Sequence, residues 1–479
     1  MQKQKLLTWI TAVLENLFFA GAVFGWPNFV SICVKENFFN ESCSGINETS
    51  QNSTLCADQS NSLSFTFTIS SSVAVLSTLL TGKLLDKYGI WFIRTLMINL
   101  ATVSYIIIAS IPTTASLAFY FCFPIVHSVG FSLLFEKIQT ANLFPKKRNF
   151  YVATISGAFD SGTIVYLIFN KLYFDLSVSF KRLLYIYAGA YFLLNIRTFF
   201  LTPKNVVPKS VDRKYKYGYK QLFITKPLKE NSELNQVTSE NIQKEKLISH
   251  LLKPYVLTAM LSTMIVNTLV VFYISNLNTF IESILNNTGN RNKEDVIWYS
   301  NIFGIVQLCG IIFAPTYGIL IELHQKTYKD KSMAGVKSCL VGIWCSCVTA
   351  VLLMVCMLIP MAKLQIVSMF LVGLTKSFFF SANSAFLSKV APPYMVGRLF
   401  GIITFASGCI LLLQHPLRLL ITNVFNNQFL VVNCGLLVLS FFLFLHPLII
   451  IRNLTNIKKE IHSSINLEEL ATFTNNANG

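Results

Sequence analysis

The sequence predicts an all-α membrane protein: twelve transmembrane helices in two six-helix halves. Three observations predict it. Of 479 residues, 53% are hydrophobic and only 13% charged, with mean hydropathy +0.55. A soluble domain is nearer a quarter charged, so this much apolar surface calls for lipid as the solvent. Apolar runs long enough to cross a bilayer recur along the whole chain. A polar, Lys-rich stretch over 203–253 then separates six runs from six. The same figures exclude a soluble globular enzyme, a disordered chain and a disulfide scaffold.

The expected spans are 6–33, 62–81, 91–111, 116–141, 150–171, 183–202, 255–277, 297–321, 336–359, 364–388, 397–421 and 428–451. The first starts behind Lys3 and Lys5, as a signal peptide does. Its run is too long for one, contains Glu15 and Asn16, and has no clear small-residue cleavage site, so it reads as a retained helix. The eighth is the weakest, because Asn301 and Gln307 lower its hydropathy. The organisation is then a first half over 1–202 with an outer loop over 35–61, a linker over 203–253, a second half over 254–452 and a tail over 453–479. Pro27, Pro124, Pro315 and Pro416 are expected to bend their helices.

The formal charge is +17, from 39 Lys and Arg against 22 Asp and Glu. The basic residues lie between apolar runs and form no basic domain, which fits loops facing anionic lipid rather than nucleic acid. With the N-terminus inside, most of them fall on the cytoplasmic side, so both termini are expected there. Sequons agree. Asn40, Asn47 and Asn52 each open an N-x-[ST] triplet in the first outer loop, and Asn286 opens another in an outer loop, whereas Asn453 falls inside. Cys43 and Cys56 share that first outer loop and read either as a disulfide or as two free thiols. Most of the other cysteines sit in apolar runs as small packing residues. No CxxC pair and no His/Cys cluster has metal spacing, so no metal or cofactor is expected.

The stretch from Gly82 to Gly89 reads G-K-L-L-D-K-Y-G, with Arg94 just beyond. It resembles the signature loop of the major facilitator superfamily, G-x-L-x-D-[RK]-x-G, and the 6+6 division matches that superfamily's organisation. Gly82 and Gly89 permit a tight turn and close helix approach. Asp86 suits a helix N-terminus or a basic partner, while Lys87 and Arg94 suit headgroups or partner acids. Such a latch closes one face in one state and breaks in the other. Gly318, Leu320 and Glu322 give a weaker echo in the second half.

The chain also resembles a narrower family, solute carrier family 43. The resemblance is carried by L-E-N-L-F-F-A-G-A-V-F-G-W-P from Leu14, I-Q-T-A-N-L-F from Ile138, S-G-A-F-D-S-G from Ser156, K-S-F-F-F-S-A-N-S-A-F-L from Lys376 and G-R-L-F-G from Gly397. Within that family A-G-A-V-F-G-W-P, G-A-F-D-S and N-S-A-F-L favour the nucleobase branch over the large neutral amino acid branch. The sequence departs at Glu136-Lys137, where uncharged polar residues are expected, at Lys376, where arginine is expected, and in its short central loop. The resemblance implies a monomeric, facilitative plasma-membrane carrier with a path lined by spans one, four, seven and ten.

Polar residues at membrane depth usually face the bundle or a wet path. The expected substrate contacts are Glu15, Gln139, Asn142, Asp160, Asn267, Asn278, Gln307, Lys376, Phe380 and Asn383. Phe135, Gln139 and Asn142 share one helix face, as do Lys376, Phe379, Phe380 and Asn383. Amides beside phenyl rings suit a flat, neutral heterocycle such as a nucleobase, since amides pair with donors and acceptors and rings stack on its face. An amino acid would instead need partners for an ammonium and a carboxylate. Glu136 and Lys137, adjacent in sequence, point to different helix faces; Asp160 suits an ion pair with Lys376 or Lys137; His127 and His415 read as structural. A membrane enzyme or receptor is disfavoured, because no nucleophile–base pair or phosphate loop is present.

Overall fold

The computed structural model describes residues 2–43, 56–144, 148–205, 207, 217–221, 247–287, 293–328, 331–391 and 395–459. Asn47, Asn52 and the tail beyond 459 lie outside them, as do the side chains of Asp86, Gln139 and Glu322. The described residues are almost entirely helical and contain no strand. This follows from the solvent, because in hydrocarbon a helix satisfies each backbone polar group within its own segment.

Among the described residues, eleven helices are long and apolar enough to cross a membrane. Spans 2 to 6 are Ala57–Leu85, Lys87–Ser110, Thr113–Leu143, Phe150–Phe174 and Phe180–Leu201. Spans 7 to 12 are Pro254–Asn286, Glu294–Lys326, Met333–Leu358, Ala362–Val390, Val396–Val424 and Leu430–Arg452. Span 1 is a pair, Lys3–Ala20 and Ala22–Lys35, bent by 42°. Every expected crossing has its counterpart, the polar eighth included. With the bent pair counted as one crossing, the start of span 1, the end of span 12 and the described ends of the linker fall at one end of the bundle, here the termini end, and residues 36–43 and 56 at the far end.

Large side chains divide cleanly. Trp26, Phe29, Phe67, Tyr105, Tyr166 and Tyr191 are buried between helices, while Phe121, Phe192, Ile312 and Val438 are exposed on the outside. In a water-soluble protein such an apolar belt would be an aggregation hazard; here it is the lipid-facing surface.

Span 1, expected to bend at Pro27, breaks upstream of it. Its middle is a π-turn over Asn16–Ala20, then Gly21, then a 3-10 turn over Ala22–Gly25. The break survives because other spans supply the missing partners. Tyr187 and Tyr191 of span 6 donate to the Phe18 and Phe19 carbonyls, each at 2.7 Å. Asn16 donates to the Ile155 carbonyl at 2.9 Å. Gly21 is required by close approach: a Cβ there would lie 1.8 Å from the Phe159 carbonyl oxygen.

The linker is not free along its whole length. Gly89, at φ +79°, turns between spans 2 and 3, and the next amides, Ile90 and Trp91, donate to the Lys204 carbonyl at 2.8 and 3.3 Å. The Trp91 indole donates to the Thr202 carbonyl at 2.7 Å. Further on, the Tyr217 hydroxyl meets Thr8 at 3.1 Å; burial raises the pKa of this phenol, keeping it a protonated hydrogen-bonding group. The start of the linker therefore straps the termini end of the first six spans.

Candidate functional site

Two seams of small residues join the halves. Along spans 2 and 11, Ser72 donates to the Gly408 carbonyl at 2.5 Å and Thr78 meets Thr404 at 3.3 Å. Along spans 5 and 8, Ser161 donates to the Leu308 carbonyl at 3.0 Å and Thr163 to the Gly304 carbonyl at 3.3 Å. Gly157 faces the Gly310 carbonyl so closely that a Cβ would sit 2.8 Å from it. Small residues let backbones meet where water gives no driving force between helices.

At the far end the halves are latched. Buried Arg418 of span 11 donates to Asn61 at 3.0 Å and to Ser60 at 2.9 Å, both on span 2. Asn278 of span 7 donates to the Pro27 carbonyl of span 1 at 2.8 Å. Between these ties lies a crevice about the size of one water, lined by Pro27, Ser60, Ser64, Asn278 and Thr279.

Between seams, midway along the spans, sits an aromatic box. Phe24 lies in the 3-10 turn of span 1, His127 and Phe131 are one turn apart on span 4, and Phe159 is on span 5. The Phe24 ring meets His127, Phe131 and Phe159 with centroids 5.5, 6.4 and 5.5 Å away. Phe131 and Phe159 close the set at 5.3 Å. These are edge-on contacts, the favoured arrangement for ring quadrupoles. His127 is 1% exposed, and neither ring nitrogen has a partner among the described residues.

Lys376, from span 10 of the other half, reaches into this box. Its Nζ stands 3.7 Å from the Phe24 ring centroid and 2.9 Å from Asp160 Oδ1. Ser377 donates to the second carboxylate oxygen at 3.2 Å. Of the expected contacts, the structure thus brings Asp160 and Lys376 together at the interface. Phe380 packs on the core one turn along span 10. Asn383, a turn further, donates to Thr263 at 3.0 Å and keeps Oδ1 without a partner among the described residues.

The other expected contacts lie elsewhere. Asn267 donates to Ser407 at 2.6 Å and Gln307 to the Met369 carbonyl at 2.8 Å, both within the second half. Asn278 belongs to the far latch. Asn142 donates to the Val207 carbonyl at 2.8 Å and accepts from Arg148, so it holds the linker. Glu15 is turned into the first half: its carboxylate is held by Arg94, by Lys137 at 2.9 Å and by Arg197 at 3.0 Å. Arg94 also pairs with Glu136 and donates to Thr198 at 2.7 Å. Arg94 of the signature loop therefore reaches partner acids, not headgroups. Glu136 and Lys137, expected to point to different helix faces, instead come within 4.0 Å of each other in one buried network.

At the far end Cys43 and Cys56 are joined by a disulfide, and Asn40 and Asn286 are exposed. Among the described residues no group of His, Cys, Asp and Glu could hold a metal ion. The residues that sequence reasoning missed are Phe24, His127, Phe131 and Phe159. In the sequence His127 reads as structural, and Phe24 and Phe159 stand only as parts of longer motifs, because the box exists only where the broken span meets spans 4 and 5.

A bundle of twelve spans with two small-residue seams and a polar, aromatic-walled midpoint defines a membrane transporter rather than an enzyme. A family model described as Major Facilitator Superfamily matches residues 137–413, and the chain belongs to that superfamily. Among curated proteins it is similar to equilibrative nucleobase transporter 1 of Bos taurus, 27% identical over 94% of this chain and 96% of the relative. It is also similar to large neutral amino acids transporter small subunit 3 of Homo sapiens, 24% identical over 91% of each. Among solved structures it resembles the nucleoside transporter NupG, at TM-score 0.52 and 17% identity over 89% of this chain and 98% of that one. It also resembles a D-xylose-proton symporter, at TM-score 0.55 and 13% identity over 91% and 97%. At these identities the structural likeness establishes the fold.

Proposed function

We propose that this chain is a facilitative, sodium-independent carrier of purine nucleobases such as adenine, guanine and hypoxanthine, working by alternating access at the plasma membrane. The observation that carries the reading is the aromatic box with an unpartnered imidazole in its wall. Phenyl faces stack on a flat heterocycle, and the imidazole nitrogens offer donor and acceptor positions to its edge. Relatives named for nucleobases and for amino acids bracket the substrate class.

The amino acid reading has one observation of its own: Asp160 and Lys376 present opposite charges that match an ammonium and a carboxylate. Uptake of labelled adenine and labelled leucine in a cell lacking endogenous carriers separates the two. Saturable adenine uptake, unchanged by sodium replacement or a pH jump, is expected. Leucine uptake without adenine uptake overturns the purine reading. Saturation is expected to weaken on Asn383→Ala and on His127→Ala, and to persist on Phe121→Ala at the lipid face.

In this reading both termini are cytoplasmic, and Asn40, Asn47, Asn52 and Asn286 carry sugars at the far end, where the disulfide fits an oxidising space. Asp86 and Lys87 serve the gating loop with Gly82, Gly89 and Arg94; Gln139 lies one turn from Phe135 toward the termini end. A monomer is sufficient.

A further inference from the structure

Asp160 and Lys376 come from different halves, and each is mostly buried, at 15% and 6% side-chain exposure. Phe24 covers the ammonium and Ser377 holds the second carboxylate oxygen. A charge at membrane depth is costly unless paired, and removing one partner of a buried pair costs far more than removing both. The site thus neutralises itself, with no charge required from a solute. The pair is also set where the halves must move against each other. Asp160 abuts Gly310 of span 8, where a Cβ would lie 3.1 Å from the Asp160 Cβ.

We propose that Asp160 and Lys376 form a self-neutralising tie between the halves that allows the carrier to reorient without solute. The inference rests on the facilitative reading, because such a carrier completes net transport only if it returns empty. With one charge removed, the other is stranded at the interface whenever the site is empty. A bound solute with a polar edge relieves it, so exchange of solute for solute continues.

The test uses the full chain with Asp160→Asn, Lys376→Gln and the double variant. In cells, zero-trans uptake of labelled adenine is expected to fall at least tenfold in each single variant. Exchange against internal adenine is expected to fall less than threefold, and the double variant to regain net uptake to within threefold. A second readout needs no solute: labelling of Thr279→Cys, at the far-end crevice, by a membrane-impermeant maleimide, read against the same chain without that cysteine. Its rate should change at least fivefold in the single variants and return to within twofold in the double one. Unchanged labelling in the single variants, or an equal change in the double variant, overturns the tie. So does equal loss of net uptake and exchange without recovery in the double variant. If the parent moves no adenine while the labelling pattern holds, the purine reading fails and the tie stands.

Discussion

The two halves share a topology but not a core chemistry. In spans 1 to 6, Glu15, Arg94, Glu136, Lys137 and Arg197 interlock on the termini side of the midpoint. In spans 7 to 12, from the midpoint toward the far end, neutral groups tie buried parts of the helices. Asn433 donates to the Met357 carbonyl at 3.0 Å, Gln414 to the Thr268 carbonyl at 2.9 Å, and Gln365 to the carbonyls of Cys356 and Ile359. Among the described residues, the buried cations of the second half, Lys376 and Arg418, reach across to the first. The contrast assigns roles. Charges locked among themselves make a stiff block, since a half-broken buried ionic network is worse than none. Charges that cross the interface can be exchanged for other partners as the blocks shift.

The strongest way to break this comparison is Arg94→Met. It takes from Glu136 its close cation and from Glu15 one of three, at an expected cost of about 3–5 kcal/mol. Thermal unfolding of the purified chain in detergent reads it, with partial recovery on adding Glu136→Gln. A loss no greater than that of a second-half amide would remove the distinction between the blocks. Next comes Gly21→Ala, which forces a methyl against the Phe159 backbone and should cost about 1–3 kcal/mol. Gly373→Ala, whose new Cβ would first meet the flexible end of the Gln307 side chain at 3.3 Å, should be milder in the same assay. Tyr191→Phe removes the hydroxyl from the Phe19 carbonyl and should cost about 1 kcal/mol. Smallest is Asn433→Leu, where one interhelical hydrogen bond in a membrane protein contributes about 0.6 kcal/mol. A larger loss there than at Tyr191 would reverse the order and place the stiffer block in the second half.

The crossings were legible because lipid imposes one rule on every residue of a span, and twenty apolar residues average out a stray Asn301 or Gln307. The turn at Gly89 was legible for a local reason, since its left-handed φ admits glycine most readily. The bend in span 1 was not. Pro27 pointed to a bend further along, whereas the actual break is held by two tyrosine hydroxyls about 170 residues away, on a helix whose own pattern gives no hint of them. The ionic core was half legible. Glu15 and Glu136 stood out as expensive charges, but hydropathy cannot say which cation in a distant span meets them. For the amides the opposite error arose. Asn142, Asn267 and Gln307 looked available for a solute, yet in the fold their donors are taken by Val207, Ser407 and Met369. Polarity in a span marks a group that needs a partner, and a neighbouring helix is the commoner one.

The bend in span 1 also decides where flexing is forbidden. An interrupted helix is ordinarily a ready hinge, but here both sides of the interruption are gripped: the loose carbonyls by Tyr187 and Tyr191, the glycine by the backbone of span 5. Rotation about Gly21 would have to tear those bonds at once. Opening at either end therefore falls to the glycine- and serine-lined joints between spans 2 and 11 and spans 5 and 8, which slide more readily than they fold.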